Sequence, residues 1–96
     1  MTASNSSTHA AVWAAIDAIA SARGMSLSAL SAAAGCPKAT LNRSHRFTEH
    51  GKPSWPTMRT IARVLDAAGM DYRQFGDLVE AKRATGPMRD WVKVAA

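Results

Sequence analysis

From His9 onward the apolar residues Val12, Ile16, Ile19 and Ala20 recur at spacings of four, three and one, which is the repeat of a single helical face. Asp17 and Ser21 fall elsewhere on the wheel, and Gly24 closes the pattern. The spacing predicts a helix beginning at His9, preceded by a disordered arm over residues 1–8, where small polar residues show no period. Trp13 lies beside the stripe and is read as packing at the edge of the core. Ser26 is a good N-cap for a second helix, with Leu27 and Leu30 facing inward and Ala32 to Ala34 filling its body. Gly35 ends that helix, and Pro37 suits the first turn of a third, predicted to run to His45 or Arg46 with Leu41 inward. Phe47 to Pro53 reads as a loop because it contains Gly51 and Pro53.

A fourth helix is predicted to open near Ser54 and Pro56, with Met58, Ile61, Ala62 and Leu65 on one face and Arg59 and Arg63 together on another. Gly69 closes it. Asp71 followed by Gln74 has the spacing of a capping box and opens a fifth helix that buries Phe75, Leu78 and Val79. Thr85-Gly86-Pro87 breaks the chain again, and Met88, Trp91, Val92 and Val94 suffice for a short amphipathic helix or an apolar tail. Strand-like alternation and internal repeats are missing. The pattern therefore predicts an all-α fold of five short helices over residues 9–84, followed by a C-terminal tail over 85–96.

Length and composition narrow the function classes. Ninety-six residues hold one small core and bury only about two-thirds of the unfolded surface. The chain is 47% hydrophobic and 20% charged, a globular composition. One cysteine, Cys36, allows no internal disulfide framework and fits a reducing compartment, so a cytoplasmic, nucleoid-associated location is expected. A membrane span and a secretory signal are not expected: Asp17 interrupts the longest apolar run, and the first residues lack a basic start followed by an apolar stretch. Enzymatic activity is not expected either, since neither paired carboxylates nor a nucleophile–base set is visible. His45, His50 and Cys36 lack metal-ligand spacing, and Cys36 is read as a small buried residue. Gly35 and Gly51 follow no strand, which argues against a phosphate-cradling nucleotide loop. No cofactor, metal or small-molecule ligand is expected.

The location of the charge says more than its size. The net charge is +5. Lys38, Arg43, Arg46, Lys52, Arg59 and Arg63 stand against Glu49 alone between residues 38 and 63, while six cations and six acids cancel elsewhere. A basic excess confined to about a quarter of the chain is the footprint of a polyanion-binding face. An RNA-binding reading fits less well, because stacking aromatics exposed within the basic segment are not expected. Trp55 is read as a core or loop anchor, with stacking on a nucleotide sugar as the lesser alternative.

The stretch from Leu27 to Arg46, LSALSAAAGCPKATLNRSHR, reads as two short helices joined by a glycine turn, a helix-turn-helix. Gly35 permits the sharp turn, Ser31 is small enough for a close crossing, and Leu30 and Leu41 peg the crossing angle. Leu30-Ser31-x-x-Ala34-Gly35-x-x-x-x-Thr40-Leu41, followed by Ile61-Ala62-x-x-Leu65, resembles the lambda-repressor-like (Cro/XRE-type) helix-turn-helix family over about residues 10–80. Asn42-Arg43-Ser44-x-Arg46 and Gly51-Lys52-Pro53-x-Trp55-Pro56 are similar to the DNA-binding heads of bacterial and phage repressors that carry a LexA-like self-cleaving peptidase. Autocleavage is not implied, since these residues supply no peptidase domain. Ser31 and Cys36 depart from the alanine and aliphatic residue usual at those positions.

The resemblance implies that the helix of about residues 37–46 enters the major groove. Lys38, Ala39 and Thr40 then stand at its leading end, followed by Asn42, Arg43 and His45. Arg can pair with guanine, Asn with adenine, and Ala or a Thr methyl with thymine. Ser44 and Arg46 are read as phosphate contacts, and Lys52 and Ser54, at the mouth of the fourth helix, as a further phosphate site. The expected function is sequence-specific binding of double-stranded DNA by a homodimeric transcriptional regulator, with repression by promoter occupancy expected before activation. Phe75, Leu78, Trp91 and Val92 are candidate dimer contacts. The alternative is an antitoxin- or antirepressor-type interaction module with weak DNA binding.

Overall fold

Helix ends coincide with residues that satisfy their exposed backbone groups. In the computed structural model, which describes residues 2–84 and side chains over 8–83, α1 spans Thr2–Ala22, α2 Leu27–Ala33, α3 Met58–Ala68 and α4 Tyr72–Ala84. The Ser26 hydroxyl accepts from Ala29 N at 3.0 Å, and Asp71 and Gln74 exchange reciprocal bonds of 2.8 and 2.9 Å, which are the two caps expected. α2 terminates at Gly35 (φ +75°), where Cys36 N donates to Ser31 O at 2.9 Å. That left-handed position lets the chain reverse and meet the last free carbonyls. Gly24 and Gly69 end α1 and α3 with the same bond pattern.

The described residues thus form an all-helical fold in which α1 makes its most extensive contact with α4, and α3 packs on α2. Ile16, Leu30, Leu41 and Val64 lie fully enclosed at the centre, with Leu65, Phe75 and Val79 beside them. The Arg23 guanidinium donates to the carbonyl of Ala68, placing a cation at the C-terminus of α3, where the helix dipole favours one. Ser31 is also fully buried, and its hydroxyl has no partner. No described helix is long and apolar enough to cross a membrane.

Three expectations change. α1 reaches back to Thr2, so most of the stretch predicted as a disordered arm belongs to the helix. The fourth predicted helix opens later, at Thr57, whose hydroxyl accepts from Thr60 N at 3.1 Å. Met58, expected inward, is therefore 65% exposed, and Val64 takes the inward role.

The largest change concerns the helix predicted over 37–46. This segment is a run of turns followed by a 3-10 turn, Arg43–His45. Its bonds are of the tight type, Thr40 N to Pro37 O, Asn42 N to Ala39 O and His45 N to Asn42 O. The break is at Asn42, whose backbone is extended (φ −62°, ψ 147°). Two anchors account for it. Leu41 is sealed in the core, while the carbonyl of Arg46 accepts from Ser54 N at 2.8 Å and so belongs to the following loop. A helix through both positions would surrender one of them.

Candidate nucleic-acid interface

The loop after the 3-10 turn is a small hairpin. Phe47 bridges Pro53 in antiparallel fashion, Thr48 N donates to Lys52 O at 2.8 Å, and Gly51 turns the tip with φ +78°. Three side chains from successive turns of α1 hold this hairpin. His9 Nε2 lies 2.9 Å from both Arg46 O and Ser54 O. Both are acceptors, so Nε2 carries the proton and donates to them. Trp13 Nε1 donates to Ser54 O at 3.0 Å; its 3.2 Å approach to His9 Nε2 is then a contact between two N–H groups rather than a bond. One turn further along, Asp17 accepts both terminal nitrogens of Arg46, at 2.6 and 2.9 Å, a bidentate pair. The Arg46 guanidinium also lies 4.8 Å above the Trp13 ring, a cation–π contact.

This arrangement sorts the sequence candidates. Arg46, expected on a phosphate, has a side chain only 12% exposed and is committed to Asp17; it fastens the hairpin to α1. Ser54 is likewise not at a helix mouth: its N–H and carbonyl serve the hairpin, three residues before the α3 cap. The Arg43 side chain, three residues before Arg46, is 76% exposed and 4.0 Å from the same carboxylate. Lys38, Ala39, Ser44, His45 and Lys52 are exposed, and Thr40 and Asn42 partly so. Arg59 and Arg63 are exposed on α3. The turn run, the hairpin and the outer face of α3 thus present five cations to solvent while removing the sixth.

Of the candidate dimer contacts, Phe75 is buried in the chain's own core and Leu78 packs partly against it; Trp91 and Val92 lie outside the described residues. Cys36 is a free thiol packed against the core. Sequence reasoning missed His9 altogether. A single histidine at the start of an apolar stripe carries no local mark of two carbonyl partners some forty residues away.

Phe47 and Trp55, not expected as exposed aromatics, are 53% and 48% exposed within the basic segment. No family model, curated protein or solved structure matches the chain.

Proposed function

We propose that the chain is a sequence-specific double-stranded DNA-binding domain of the helix-turn-helix kind, acting as a transcriptional regulator whose default effect is repression. One observation carries this reading: within the basic segment every cation except Arg46 is exposed, so Lys38, Arg43, Lys52, Arg59 and Arg63 are available to phosphates. In this reading α2, the Gly35 turn and the inward Leu41 correspond to a helix-turn-helix as far as its turn, and residues 37–45, which form turns and no second helix, are the segment that meets the DNA. Thr40, Asn42 and His45 then reach base edges, and Lys38, Arg43 and Lys52 the backbone. A homodimer would read two half-sites about 34 Å apart, or a multiple of that.

The test is recovery of chromosomal fragments that co-precipitate with the protein. A shared motif with paired half-sites is expected, and fragments without a common motif would overturn sequence specificity. A second reading, the antitoxin- or antirepressor-type module, draws on the exposure of Met58 and Tyr72 on separate helices. It requires a co-purifying protein partner together with weak, nearly salt-independent DNA binding.

A further inference from the structure

We propose that Phe47 and Trp55 form a stacking platform for unpaired nucleobases, so that the cationic face also takes single-stranded DNA. The proposal rests on the DNA-binding reading of the exposed cations given above, and adds to it a contact that duplex DNA does not use. Both rings lie against His9 in a T-shaped arrangement, with centroids 5.0 and 5.1 Å away and interplanar angles of 60° and 82°. His9 is itself buried and tied to the hairpin backbone. The two aromatics are therefore held on a fixed support while about half of each remains in water. Phe47 bridges Pro53 across the hairpin that carries Lys52, and Trp55 follows two residues after Pro53. The two rings thus flank one buried imidazole at the base of this hairpin.

Charge chooses the occupant. A second copy of this chain would set one basic segment against another, and like charges facing across an interface disfavour it. A polyanion meets no such opposition. Within nucleic acids, paired and stacked bases hide their faces, whereas unpaired bases offer them to aromatic side chains beside a cationic groove. Stacking of this kind tolerates any base, so it contributes affinity without sequence choice.

The experiment compares three fluorescently labelled probes by anisotropy with the full chain: a duplex, an oligo(dT) strand, and a strand of the same length and charge built from abasic sites. Oligo(dT) is expected to bind about tenfold more tightly than the abasic strand. The double substitution Phe47→Leu, Trp55→Leu, which keeps apolar volume over His9, is expected to erase that difference while leaving duplex affinity within about twofold. Circular dichroism and a cooperative melt establish that the variant folds. Equal affinity for oligo(dT) and abasic strands overturns the stacking platform and leaves the cationic face standing. Failure of all three probes to bind overturns both. If the unsubstituted chain sediments as a dimer and the double variant as a monomer, the aromatic pair is a self-association surface and the proposal falls.

Discussion

Residues 37–45 and 46–54 are neighbours in the chain, and both mix small, polar and cationic residues. The structure uses them in opposite ways. The first stretch is tied down by Leu41 and turns most of its polar side chains outward. The second is tied down by its backbone and by Arg46, through three residues of α1. Arg43 and Arg46 condense the contrast: the same side chain, three residues apart, approaching the same carboxylate, one in water and one enclosed. A charge map drawn from sequence counts them alike. What separates them is the position of Asp17 and Trp13 on α1, and the comparison shows that a cation belongs to a binding face only if no carboxylate of the fold has claimed it.

That contrast can be broken by substitution. Trp13→Ala removes a buried ring, its bond to Ser54 and the surface under Arg46, and is expected to cost about 3–5 kcal/mol. Urea denaturation should show a midpoint shifted far down or no cooperative transition; a loss below about 1 kcal/mol would mean that α1 does not hold the hairpin. Next in size, Asp17→Ala leaves a nearly enclosed guanidinium unpaired. The full cost of a buried pair is reduced here by partial exposure to about 2 kcal/mol. A double-mutant cycle sharpens the point: coupling between Asp17 and Arg46 should exceed about 1 kcal/mol, and coupling between Asp17 and Arg43 should stay below about 0.5 kcal/mol.

Function is expected to divide along the opposite line. Arg43→Ala should lower affinity for a target duplex about tenfold with stability unchanged within about 0.5 kcal/mol. Arg46→Ala, measured where the variant is folded, should leave affinity within about twofold and lower stability instead. If both variants lose affinity equally while folded, the two arginines are not distinct in role. The smallest effect concerns the core. Ser31→Ala deletes a buried hydroxyl that has no partner, and is expected to raise stability by about 1 kcal/mol, read as a higher melting temperature; a decrease would mean that the hydroxyl is bonded in solution.

What sequence made legible were the features with local causes. Ser26, Asp71 and Gln74 cap within four residues of themselves, glycines end three helices, and the inward Leu30, Ile61 and Leu65 follow the helical period. What it concealed depends on partners far along the chain. Arg46 meets Asp17 across 29 residues, and His9 meets Arg46 and Ser54 across 37 and 45. The segment 37–46 carries helix-compatible residues and a single inward leucine, too short a pattern to reveal that its far end is held in a hairpin. The same concealment hid the exposure of Phe47 and Trp55, since His9 is the support that holds them at the surface. Of the candidate interface, the exposed cations were legible and the commitment of Arg46 was not.

The salt dependence of duplex binding tests the central claim most directly. Displacement of counterions by the five exposed cations gives a slope of log affinity against log salt of roughly −4.5. Arg43→Ala should flatten that slope by about one, and Arg46→Ala should leave it as it is. Duplex binding that ignores salt, or a slope that flattens with Arg46→Ala and not with Arg43→Ala, would contradict the account.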